Sequence, residues 1–245
     1  MCGTMGLPDE GRRKIFEVIA MKNRLMVLDS ETCNIEKLDK VTPGNNLTYD
    51  IGYSVIEPAT GSVIREKSYI VQEIFFGETD RMKSAYYADK LPGYYADIAT
   101  GKREVRRFMD IIMDILNTCK RENVVAIVAH NARFDIDAIN TTFKWLEGFY
   151  TKVFDGIEIW DSMKMAKTFT DTPTYRRYCE ENGYMTRHTP PRVRMTAEII
   201  YRFITGDNEF IEKHTAFEDT MIEREIVLKA YRTHKRMEKI LYGRG

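Results

Sequence analysis

Cysteine is scarce in this 245-residue sequence, and its placement is uninformative: Cys2, Cys33, Cys119 and Cys179 are scattered, with no C-x-x-C pair. That excludes a small secreted disulfide scaffold and a cysteine-built zinc site, and reads as reduced thiols in a cytoplasmic protein. Excess charge is missing too, since 37 Lys+Arg offset 37 Asp+Glu. No global field then directs the chain to nucleic acid or to an acidic membrane, so any charged partner must be met by local clusters. Nothing approaches the roughly 20 consecutive apolar residues that span a bilayer, and the first residues lack the basic-then-apolar pattern of an export signal. Neither an internal repeat nor a low-complexity tract is present, and nothing marks an oligomeric state.

The 43% hydrophobic content supports a substantial core, and the length suits one α/β domain with insertions. Residues 1–23, with Ile15, Phe16, Val18 and Ile19 at helical spacing, read as an N-terminal extension; residues 24–245 read as a single domain carrying an insertion around 75–101. The run RLMVLDSET from Arg24 is apolar on both faces, which predicts a central strand. NLTYDIGYSVIEP, the turn signal PATG and GSVIREKSYIVQ predict an antiparallel hairpin beside it. The tyrosines of the 75–101 segment have two readings, as stacking platforms for bases or as ordinary packing and surface residues. Residues 103–119 carry Val105, Phe108, Met109, Ile112, Ile115 and Leu116 at helical spacing. A strand VVAIVA, a helix from about Asp135, a strand IEIW, a helix near 163–168 and final helices over 195–204 and 215–240 complete the pattern. The sum is a mixed five-stranded sheet, antiparallel hairpin plus parallel strands, flanked by helices.

Three elements carry chemistry. Asp29 and Glu31, at i and i+2 on the end of the first strand, leave the same face with Cα atoms about 6.6 Å apart. Their repulsion, about 2.5 kcal/mol at an effective dielectric of 20, calls for a counter-cation. In HNARFD, directly after VVAIVA, Asp135 stands at a strand-to-helix connection, as a helix N-cap or as a carboxylate aimed across the sheet end. His130 and Asn131 are structural hydrogen-bonding residues of that loop or contacts for a nucleotide, and Phe134 is a further candidate contact. In HTAFED, Thr215 and Glu218 form a capping-box pattern that starts a helix at Ala216. His214 and Asp219 then occupy the N′ and N4 positions, where side chains ordinarily meet, so the pair is ionisable where a hydrophobic staple is usual. RHTPPRVR places Arg187, His188, Arg192 and Arg194 in one loop, read either as a solvated basic loop or as phosphate contacts, with Arg192 and Arg194 the chosen candidates.

Taken together, the D-x-E pair, Asp135 after a later strand and His214/Asp219 opening the last long helix resemble, in order and context, the exonuclease motifs of the DEDDh family. These are RNase H-like 3′→5′ exonucleases that include polymerase proofreading subunits and oligoribonucleases. The resemblance runs from about Leu25 to Tyr231 and includes RMTAEIIYRFITGD before the last motif. It implies that Asp29, Glu31, Asp135 and Asp219 hold two divalent cations, Mg²⁺ or Mn²⁺, and that His214 is the general base. It further implies a single-stranded 3′ end as substrate, DNA first and short RNA as the alternative, nucleoside 5′-monophosphates as products, and a DNA polymerase or other replication protein as partner. A catalytically silent, nucleic-acid-binding module of the same fold is the reading from a different class. Where the family often has a Thr-Thr-Gly turn after the D-x-E pair, this chain has Thr32, Cys33 and Asn34, so its contacts to the terminal nucleotide depart from the family's; Thr32 is the candidate there, and a backbone amide could serve as well. The long interval between the first two motifs matches the insertion.

Overall fold

The computed structural model describes residues 23–35, 44–83 and 85–233. The proposed helix within 1–23, Cys2 and the predicted helical residues beyond 233 lie outside them. Strand β1 (Arg24–Asn34) pairs antiparallel with β2 (Asn46–Glu57), which pairs antiparallel with β3 (Ser62–Val71). On its other edge β1 runs parallel to β5 (Val124–Ala129), and β5 runs parallel to β6 (Glu158–Asp161). A short strand β4 (Glu104–Arg106) adds parallel to the outer edge of β3, giving the order β4-β3-β2-β1-β5-β6. The sheet is therefore six-stranded rather than five-stranded.

Burial on both faces makes β1 the axis of the sheet. Met26 and Leu28 face one core with Ile51, Tyr53, helix α2 (Phe108–Arg121) and helix α3 (Arg133–Glu147). Leu25 and Val27 face a second core with Ile222, Ile226 and Val227 of the last described helix, named α6 below, and Ile199 and Ile200 of the preceding one. Beyond Leu28 the apolar alternation ends and Asp29 and Glu31 continue the Leu25/Val27 side, so the carboxylates emerge beneath the last helix. Val105 belongs to β4, and the helix predicted from 103 starts at Phe108. The stretch near 163–168 is two short helical turns, Ser162–Met165 and Lys167–Thr170.

Between β3 and β4 the chain forms short helical turns and helix α1 (Leu91–Ala99). Tyr94 of α1 is buried edge-on against Tyr49 and donates its hydroxyl to Asp50 of β2 at 2.7 Å. Tyr86 and Tyr95 are exposed. Buried Tyr94 and exposed Tyr86 and Tyr95 are what packing and surface tyrosines look like. Helix α4 (Pro173–Glu181), ahead of the RHTPPRVR loop, has no counterpart in the expected pattern; helices α5 (Ala197–Thr205) and α6 (Ala216–Arg232) do. Cys33, Cys119 and Cys179 are free and buried. No described helix is long and apolar enough to cross a membrane.

Candidate active site

The start of α6 is held by a residue the sequence did not single out. Asp50 lies opposite Glu31 in the β1–β2 register and accepts the Ala216 backbone N–H at 3.1 Å. Thr215 makes no side-chain cap bond, because its hydroxyl donates to the Glu218 carboxylate instead. The helix begins at the expected residue, but the cap comes from the sheet. Arg103, its side chain 2% exposed, binds Asp50 at 3.1 Å and Glu218 at 2.7 Å. Burial opposes ionisation of Glu218, yet hydrogen bonds from Lys102 and Thr215 and the charge of Arg103 hold it down at about 2. Gly52 completes the junction: a Cβ there would lie 2.5 Å from the backbone of Ala216 and Phe217.

That close approach brings Asp219 to the end of β1. Ligand oxygens of Asp29, Glu31 and Asp219 lie within 4.8 Å of one another. Asp135, in the first turn of α3, acts on both Asp29 and Glu31. It is not the N-cap of α3, because that helix already starts at Arg133. Its Oδ1 accepts the Ser30 backbone N–H at 3.1 Å and the Ser30 hydroxyl at 2.8 Å, which ties it to the reverse side of the D-x-E strand. Burial, then the charges of neighbouring carboxylates, push Asp29 well above the usual carboxylate range and Glu31 up to about 9. Asp219 rises to about 8 by burial and the charge of Glu212, and Asp135 to about 7 by burial against the pull of Ser30.

A fifth carboxylate, Glu223, is buried in the same place and acts on Asp29 more strongly than Asp135 or Glu31 does. Its spacing of one helical turn from Asp219 was the available signal. Asp219 Oδ1 and Glu223 Oε2 are buried without a hydrogen-bond partner. Buried anionic oxygens without donors are costly to a folded chain, and hard, closely grouped carboxylate oxygens suit a divalent cation such as Mg²⁺ or Mn²⁺. The residues present therefore fit such a group.

His214 does not sit against Asp219 as the N′/N4 positions suggested. Its φ of 52° turns the chain, and its ring stacks on Tyr87 at 4.6 Å and 13°. Nδ1 lies 3.7 Å from Glu212 Oε2, and Glu198 completes that second group. Lys90 donates to the Lys213 carbonyl and lies 4.5 Å over the Tyr87 ring. Its charge acts on Glu31, Asp219 and His214 alike, which puts His214 on the rim of the carboxylate cluster. Burial, then Lys90, lower the His214 pKa. Glu212, Glu198, Tyr87 and Lys90 gave no signal in the sequence because each joins the site only through tertiary packing.

Among the other candidates, His130 has both ring nitrogens engaged, by Ser162 Oγ at 2.8 Å and the Met195 carbonyl at 2.6 Å. That leaves the ring no nitrogen for a nucleotide and makes it a clamp between two loops. Asn131 is exposed, with φ 62° and its N–H on Asp161 Oδ1 at 3.2 Å. Phe134 is half-buried, and Thr32 is half-buried at the irregularity where the β1–β2 register shifts. Arg192 and Arg194 are exposed on a two-sided loop closed by the Met185–Val193 bridge. The Met195–His130 bond anchors that loop beside the carboxylates.

No protein-family model and no curated protein matches the chain. Solved structures do. A 3′-exonuclease that recognises the 3′ end of a histone mRNA stem-loop superposes with a TM-score of 0.55 at 8% identity, covering 89% of this chain and 85% of that one. The nuclease domain of 3′hExo, a DEDDh family member bound to rAMP, superposes with a TM-score of 0.54 at 10% identity, covering 89% of this chain and 98% of that one. A full-length 3′-exonuclease gives 0.53 at 9% identity over 90% and 88%. The chain therefore has the RNase H-like fold of DEDDh-type 3′-exonucleases.

Proposed function

We propose that the chain is a cation-dependent 3′→5′ exonuclease that hydrolyses the last phosphodiester of a single-stranded nucleic acid and releases nucleoside 5′-monophosphates. The observation that carries the reading is the meeting of Asp29, Glu31 and Asp219 within 4.8 Å, with Asp135 beside them. These four carboxylates would hold the cations. Divalent ions bound there supply charge that stabilises the attacking and leaving oxygens of an in-line displacement.

His214 takes the proton of the attacking water. Burial and Lys90 favour its neutral form, the form that can accept a proton. Thr32, Asn131 and Phe134 would line the terminal nucleotide, and Arg192 and Arg194 would meet the backbone phosphates upstream. DNA is the first substrate; the rAMP bound by one fold neighbour makes RNA the one to test beside it.

The test is digestion of DNA and RNA oligomers labelled at the 5′ end, with Mn²⁺. A ladder shrinking from the 3′ end, blocked by a bulky 3′ group, is expected. Asp29→Ala and Asp135→Ala should each abolish it while circular dichroism stays unchanged. Cleavage of circular single strands, full activity in either variant, or binding without hydrolysis would each overturn the reading.

A further inference from the structure

Glu223 follows Asp219 by one helical turn, so α6 presents both carboxylates on one face. The two are 3% and 5% exposed, respectively. The charges that act most strongly on Glu223 are Asp135, Asp219 and Glu212, all of the same sign. It also accepts the backbone N–H of His130, one residue past the end of β5. Its Oε2 has no partner at all. The next residue, Arg224, is turned away toward Glu66, with Nη1 3.0 Å from Oε1.

An apolar side chain at this position would simply extend the packing of Ile222, Ile226 and Val227. A buried carboxylate among other carboxylates, with one oxygen fixed by a backbone donor and the other free, is instead the arrangement a cation ligand requires. Two divalent ions balance four carboxylates; a fifth leaves net negative charge that tightens the hold on the cations. We propose that Glu223 is a fifth carboxylate of the cation site, its free oxygen helping Asp29, Asp135 and Asp219 to hold a divalent ion. This rests on the cation-binding reading given above.

Mn²⁺ binding by the whole chain, followed by the electron paramagnetic resonance of free Mn²⁺, tests it without any nucleic acid. Glu223→Gln should weaken binding of at least one Mn²⁺ by about 10- to 100-fold, while the cation-free variant melts at the same or a higher temperature. Should that variant fail to fold, Glu223→Asp, which keeps the charge but withdraws the oxygen by one methylene, must show the same weakening. Wild-type affinity and stoichiometry in the folded variant, alongside loss of Mn²⁺ in Asp29→Asn, would overturn this inference alone. A wild-type chain that takes up no Mn²⁺ would overturn the cation reading with it.

Discussion

Replacing Glu31 with Gln should stabilise the cation-free protein at alkaline pH and not at acidic pH. Burial, followed by the charges of Asp219 and Asp50, pushes this carboxyl up to about 9 from an ordinary value of 4.5. In the absence of cations the folded chain keeps the proton while the unfolded chain releases it above pH 4.5. Folding therefore loses about 1.4 kcal/mol per pH unit from there upward, to a ceiling of about 5 kcal/mol at pH 8 and below about 1 kcal/mol at pH 5. Water penetration and relaxation reduce the ceiling to an effect of about 2 kcal/mol. For a chain of this size that is a rise of about 4–8 °C in melting temperature. Thermal unfolding in a chelator at pH 8 and pH 5, followed by circular dichroism, reads the difference directly. With Mn²⁺ the order should invert at pH 8, because the wild type gains binding energy that the variant has lost. Equal melting temperatures at pH 8 in chelator, or the same gain at both pH values, would refute the electrostatic account of the cluster.

Other outcomes follow from neighbouring contacts. His214→Ala should lower kcat by about 10²- to 10⁴-fold and remove the acid limb of the pH–rate profile, with Mn²⁺ affinity unchanged; near-normal turnover would rule out its role as the base. Glu218→Gln should cost about 1–3 kcal/mol at pH 7, because charge-assisted bonds from Lys102 and Arg103 are lost. Since the Glu218 carboxyl is held down at about 2, the gap between wild type and variant should persist above pH 4.5 and close as pH falls toward 2; denaturant titrations across that range measure it. Gly52→Ala should destabilise by about 1–3 kcal/mol and weaken Mn²⁺ binding, as the added Cβ pushes Ala216 and Asp219 away from β1. Gly93→Ala, where a Cβ meets nothing within 4 Å, should leave Mn²⁺ binding unchanged.

What the sequence reveals of this molecule is what local pattern encodes. RLMVLDSET declares a strand apolar on both faces, and β1 is that strand, bonded on both edges. The start of α6 at Ala216 is equally legible, since Thr and Glu three residues apart mark a helix beginning even where the cap bond comes from elsewhere. Asp50 carries no local mark, because its role depends on a hairpin register that sets it opposite Glu31 and on a contact with Ala216 far along the chain. The side of the rim that His214 faces depends on one left-handed backbone residue, and a histidine carries no sequence mark of it. Strand β4 has no signature of its own, because three residues are too few to show a period of two and Val105 fits the spacing of the helix that follows.

That small strand also governs how the segment between β3 and β4 can vary. The chain leaves the sheet at Val71 and re-enters it at Glu104, beside Tyr69, so it must come back past the end of β3 before β4 can start. The pairing is parallel, so the excursion needs a dozen or so residues at least and cannot collapse into a tight turn. No comparable ceiling exists, since doubling a closed loop adds only about 0.6 kcal/mol of closure cost. Added length around Tyr87 and Lys90 therefore costs little in closure, provided that Tyr94 and Arg103 of the same segment stay on Asp50 and Glu218 and so keep α6 and its carboxylates in place.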